Sequence, residues 1–108
     1  MNEYQIIREA TINDVSDILK IEKQVFTNDN WSLEMLKSEL NNKSDRKTLI
    51  IVKADKVIAY CMIRKFENEI HIINMAVKRS IQGRGYGKLL LKSFLSGIFM
   101  EKFYPKDS

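Results

Sequence analysis

The spacing of apolar and polar positions along the chain changes period three times. A short β-like piece runs from Tyr4 to Arg8. From Val15 the apolar positions take helical spacing, with Val15, Ile18, Leu19, Glu22, Val25 and Phe26 along one stripe. Thr11 or Asn13 is placed to cap that helix, and Asp14 lies where the helix dipole favours an anion. The segment NWSLEMLKSEL predicts a second helix, capped by Ser32, with Glu34 in its first turn and Trp31 stapled onto Leu36. A polar loop, NNKSDRK, ends the helical part. Three strand-like runs follow, TLIIVK, VIAYCMIRK and EIHIINMAV, separated by the short turns ADK and FENE. They predict an antiparallel meander. In GKLLLKSFLSGIF the helical spacing returns, with Leu89, Leu90, Phe94 and Leu95 available to cover the sheet. The predicted order is β-α-α-β-β-β-α, an α/β chain of the α+β kind with helices packed on a mainly antiparallel sheet.

Composition narrows the class. With 108 residues, 44% of them hydrophobic, residues 1–108 are expected to form a single domain. No apolar run approaches the roughly 20 residues of a membrane-spanning helix, and the start MNEYQIIREA lacks the pattern of a signal peptide. Cys61 is the sole cysteine, so no internal disulfide can form, and a cytoplasmic protein is expected. One histidine and one cysteine are too few for a usual metal site, so none is expected. The net charge of +4 and pI near 9.2 suit either a polyanionic partner or plain solvated surface. Local arrangement must decide between them.

The most informative stretch is MAVKRSIQGRGYGKLLL. Three of the four glycines alternate there, at Gly83, Gly85 and Gly87, between a strand ending at Val77 and a helix. The first turn of a helix has backbone N–H groups without intrahelical partners and carries the positive end of the dipole. Such a turn binds phosphate, and glycines let a ligand approach without a Cβ in the way. Lys78, Arg79, Arg84 and Lys88 add four cations. A diphosphate would suit the loop; a tight turn with no ligand is the other reading. The spacing is not that of a Walker A loop, and the meander before it is not the βαβ unit of a dinucleotide fold.

Gln82-Gly83-Arg84-Gly85-Tyr86-Gly87 resembles the Q/R-x-x-G-x-G/A loop of the GNAT family of acetyl-CoA-dependent N-acetyltransferases. The blocks IREATINDVSDILKIEKQVF, WSLEMLKSEL and EIHIINMAVKRSIQGRGYGKLLL are similar to successive blocks of its ribosomal-protein-alanine N-acetyltransferase branch, over about residues 4 to 96. The resemblance implies a GNAT-like fold with acetyl-CoA as cofactor. Gln82, Gly83, Arg84, Gly85, Tyr86, Gly87 and Lys88 would hold the pyrophosphate of coenzyme A. The pantetheine arm would lie along Met75, Ala76 and Val77, where a backbone N–H would polarise the thioester carbonyl. The implied acceptor is a protein N-terminal amine or a comparable primary amine, attacking directly once a base has taken its proton.

The same resemblance also implies elements that the sequence does not show. The family continues with a parallel fifth strand, a fourth helix and a closing hairpin. In the resembled branch the fifth strand carries the general-base glutamate and the following helix the general-acid tyrosine, and neither can be placed here. The tail EKFYPKDS looks like a Tyr-Pro turn that relatives place later, which reads either as lost internal sequence or as a chance match. Without a fifth strand, residues 69–77 would present an open apolar edge, and pairing of two chains along it is expected.

Three function classes therefore stand: an N-acetyltransferase, an acetyl-CoA-binding module without the chemistry, and a basic RNA- or ribosome-binding domain. The third lacks an aromatic stacking platform and a recognition helix, so no direct nucleic-acid contact is expected. Among single residues, His71 is either a base or a structural, partly exposed histidine, grouped by alternation with Ile73, Met75 and Val77. Glu67 and Glu69 read as solvated turn residues or as groups steering an amine. Cys61 reads as a small buried hydrophobe. Asn74, a polar residue inside an apolar strand, needs a partner: it reads as holding structure, with orienting the loop or contacting substrate as the other readings.

Overall fold

The computed structural model of the chain describes residues 5–41 and 44–95. Tyr4, the end of the last helix near Gly97 and the tail EKFYPKDS lie outside the described residues. Four strands, β1 (Gln5–Glu9), β2 (Arg46–Lys53), β3 (Lys56–Phe66) and β4 (Glu69–Val77), form one antiparallel sheet in the order β1-β2-β3-β4. Helices α1 (Val15–Val25) and α2 (Leu33–Leu40) lie between β1 and β2, and α3 (Tyr86–Leu95) follows β4. This is the predicted order.

Both faces of the sheet are covered, which is why β2 and β3 read as near-continuous apolar runs rather than alternating ones. On one face Leu49, Ile51, Cys61 and Ile63 pack with Leu90 and Phe94 of α3. On the other, Ile50, Tyr60, Met62 and Ala76 pack with Val15, Ile18 and Ile21 of α1 and Leu36 of α2. The predicted sheet-covering role fits Leu90 and Phe94, whereas Leu95 is 70% exposed. It lies one residue past Phe94, about 100° round the helix and off the buried stripe. Trp31 joins the cluster that holds Leu36.

Local chemistry sets the element ends. Thr11 caps a short 3-10 turn (Ile12–Asp14) that leads into α1: its hydroxyl accepts from Asn13 N–H, and Asp14 accepts from Thr11 N–H at 2.8 Å. Ser32 caps α2, its Oγ accepting from Met35 N–H at 3.1 Å. The β2–β3 hairpin turns through Ala54 and Asp55, both at positive φ (51° and 66°), which matches the strand twist.

One irregularity matters for the site. The β3–β4 register slips between Met62 and Ile63, so that Met62 faces Asn74 while Ile63 faces Ile72. Ile73 is the extra residue, and it packs on the α1 face, as Ala76 does. The bulge reverses the alternation before it. His71 therefore does not share a face with Met75 and Val77, as strict alternation predicts. It pairs with Arg64, whose guanidinium reaches Glu39 of α2 at 2.6 Å, on the α1–α2 side of the sheet.

Candidate functional site

The glycine loop sits where β4 delivers the chain to α3. Lys78 N–H bonds back to Ile58 C=O at 2.8 Å, closing the β3–β4 ladder. By strand periodicity the amide of Ala76 also faces β3, and those of Met75 and Val77 face the open edge of β4. The Gln82 side-chain amide donates to Val77 C=O at 3.0 Å, holding the loop against the strand end. Across the loop, Arg79 N–H donates to Gln24 Oε1 at 2.9 Å and its guanidinium to Gln24 C=O at 3.1 Å, pinning the loop to the end of α1.

Gly83 (φ +81°) and Gly85 (φ +90°) hold a backbone that other residues adopt only with strain, and a Cβ at either would meet no atom within 4 Å. The space beside them is open. Leu89 N–H bonds to Gly85 C=O, starting α3. Among the described residues, the N–H groups of Gly83, Arg84, Gly85, Tyr86, Gly87 and Lys88 find no protein acceptor. Six such donors lie on one glycine-rich turn at a positive helix end, the kind of position at which anions bind. Arg84 and Lys88 are exposed beside it. Tyr86 differs: its ring packs on the α3-side core, and its hydroxyl accepts from Lys53 Nζ at 3.1 Å. Ala76 is buried on the α1 face. The side chains of Tyr86 and Ala76 are thus committed to the fold, while Gln82 is exposed and tied to it through its amide nitrogen.

The profile of the acetyltransferase (GNAT) family matches residues 12–97, most of the chain. The chain belongs to the GNAT acetyltransferase family. No curated protein matches it in sequence. Among solved structures, the Escherichia coli ribosomal-protein-S18-alanine N-acetyltransferase superposes with a TM-score of 0.75 at 22% identity, covering 86% of this chain and 58% of that one. The chain thus spans 58% of the length of that enzyme. An aminoglycoside acetyltransferase from an uncultured soil metagenomic sample, solved with sisomicin, gives 0.72 at 21% identity, over 92% of this chain and 72% of that one. The PaiA N-acetyltransferase of Thermoplasma acidophilum, solved in complex with coenzyme A, gives 0.67 at 17% identity, over 92% and 73%. At these identities the likeness is one of fold. Within this GNAT fold, acetyl-CoA is the family's acetyl donor.

On the α1 side of this GNAT domain lies a polar cluster that the sequence only hinted at. Glu22, 1% exposed, accepts from Tyr60 O–H, from Asn74 Nδ2 at 2.8 Å and from Trp31 N–H at 2.7 Å. Burial, and then the neighbouring carboxylate, raise the Tyr60 phenol well above the ordinary range, so it stays a donor. The hint was a carboxylate on the apolar stripe of α1 and an asparagine inside β4, which together demand partners. Gln24 gave no such hint, being 55 positions from Arg79. Asn74 holds structure, as its place in the strand suggested. His71 is exposed, with Nε2 2.9 Å from Glu69 and its ring edge-on to Phe66. Cys61 is fully buried and its thiol is pushed up to about 12 by burial, the state of a small hydrophobe rather than a nucleophile.

Proposed function

We propose that this chain carries the acetyl-donor half of an N-acetyltransferase that acts on a primary amine, a protein N-terminal amine being the first candidate. The observation that carries this reading is the row of six N–H groups from Gly83 to Lys88 that find no acceptor among the described residues. The residues present fit acetyl-CoA. The loop amides, with Arg84 and Lys88, would hold the diphosphate, and the outward amides of Met75 and Val77 would hold the arm along the edge of β4. When bound, acetyl-CoA supplies an activated acetyl thioester.

The chain's own part is to bind and to polarise. An N–H fixed on a strand and aimed out of it suits a carbonyl oxygen that gains negative charge, because the donor needs no reorganisation as charge develops. The open edge of β4 is also the surface along which two chains would pair. Pairing and arm binding then compete, so coenzyme A would shift a dimer toward monomer.

A protein amine is preferred over a small one because blocks of this sequence resemble the ribosomal-protein-alanine branch. The test is calorimetry with acetyl-CoA, followed by acetyl transfer to peptides with free N-termini, with an aminoglycoside as the competing acceptor. Saturable acetyl-CoA binding supports the reading. No binding, with steeply salt-dependent RNA affinity instead, would overturn it.

A further inference from the structure

Asn74 holds a side-chain oxygen whose direction is dictated by its neighbours. Glu22 is already the acceptor for Tyr60 O–H and for Trp31 N–H, and the latter group can only donate. A carboxylate oxygen accepts, so the atom of Asn74 lying 2.8 Å from Glu22 Oε1 is the amide nitrogen. This settles which way the amide is turned, with Oδ1 on the far side from Glu22. Among the described residues, that oxygen has no hydrogen-bond partner, yet it is not sealed in the core as Thr48 Oγ1 is. It is an oriented acceptor on a half-buried side chain that no described residue uses.

Its location is specific. Asn74 precedes Met75, the first of the outward amides, and, opposite Met62 and two residues from Ala76, it lies on the face covered by α1 and α2. The same carboxylate holds Trp31 N–H, at the end of the connection between α1 and α2. One buried group thus ties the α1–α2 connection, β3 and β4 together around Asn74. An amine that approaches the edge of β4 from this side meets an acceptor and no competing side-chain donor from Asn74.

We propose that Asn74 Oδ1 accepts an N–H from the incoming primary amine, and that Glu22 is its positioning residue. This rests on the reading of the chain as an N-acetyltransferase domain. The contact is a hydrogen bond made before transfer. It selects for a group with N–H donors, and an acetylated nitrogen, with one N–H in a planar amide, fits it poorly.

The experiment uses the whole chain saturated with coenzyme A. The probes are a short peptide with a free N-terminus, the same peptide N-acetylated, and spermidine. Calorimetry on wild type, Asn74→Ala and Glu22→Gln is expected to show amine affinity lowered about tenfold or more in both variants, the equivalent of one hydrogen bond to a charged group. The affinity for coenzyme A, and any affinity for the acetylated peptide, should stay within about twofold. A merely structural role would weaken all probes together.

On the unmodified protein, 15N NMR should show the Asn74 side-chain amide resonances move with free-amine titration and stay still with the acetylated peptide. This measurement decides the matter even if the variants fold poorly. The inference is overturned if no amine binds the loaded chain, if the variants bind amine as wild type does, or if the Asn74 resonances do not move. Failure of wild type to bind coenzyme A would instead remove the functional reading itself, and this inference with it.

Discussion

Gly85 and Gly87 lie two residues apart, yet alanine should have opposite effects at them. At Gly85 the added Cβ meets no atom within 4 Å, so the whole cost is conformational, arising from φ of +90°. A non-glycine residue in left-handed backbone costs about 1–2 kcal/mol. For a domain of about 100 residues, 1 kcal/mol corresponds to roughly 4–8 °C in Tm. Gly85→Ala should therefore lower Tm by about 4–16 °C. If the loop relaxes to relieve the strain, it turns away amides that would face the diphosphate. Each hydrogen bond lost to a charged oxygen is worth about 1.5–3 kcal/mol, so coenzyme A affinity should fall about tenfold to a hundredfold.

At Gly87 φ is not in the left-handed region, and the added Cβ would stand 3.8 Å from Met75 Cε, an ordinary contact. It lies in the first turn of α3. Replacing glycine by alanine within a helix gains up to about 1 kcal/mol, so Gly87→Ala should leave Tm unchanged or raise it by up to about 8 °C. Coenzyme A binding should be retained. Differential scanning fluorimetry and calorimetry on the two variants give both readouts. Equal Tm values, or undiminished coenzyme A binding by Gly85→Ala, would refute the reasoning about the loop.

Three further outcomes are expected. Tyr60→Phe removes a buried hydroxyl bonded to the Glu22 carboxylate and should cost about 1.5–3 kcal/mol in urea unfolding; a loss below about 0.5 kcal/mol would mean that the cluster is not cooperative. The Asp14 carboxyl is held below the ordinary carboxylate range, chiefly by the hydrogen bond from Arg8 and then, against burial, by Thr11 N–H. Its folded value is the lower one, so its stability contribution is present above about pH 4 and is lost as pH falls below that. Asp14→Asn should thus be less stable than wild type at pH 7, and the gap should close in acid; a gap independent of pH would contradict this. Cys61, with its thiol pushed up to about 12 and no exposed surface, should resist Ellman's reagent in the native protein and react fully in 6 M guanidinium; rapid native labelling would place it elsewhere.

The elements were legible in the sequence because each is announced by its own residues. Thr11 and Ser32 mark helix starts, and the apolar periods mark α1 and the strands. The glycines of residues 83–87 mark a backbone that needs positive φ and an open approach. Such signals are local: capping, turn chemistry and period act within a few residues of one another. What lay beyond reach depends on which distant residues meet. The slip at Ile73 that carries His71 to the other face arises from packing of β4 against β3 and α1, and no alternation rule contains it. The commitment of Gln82 to Val77 C=O, the pinning of Arg79 by Gln24, and the convergence of Tyr60, Asn74 and Trp31 on Glu22 belong to the same class.

By itself, then, the sequence determined the order of the elements, the loop and the residue types available to it. The tertiary structure decided which side chains the fold consumes and which groups, Asn74 Oδ1 and the loop amides among them, find no partner among the described residues. The reason is physical: a buried polar group must find a partner, and only the folded arrangement of distant segments says which partner is within about 3 Å.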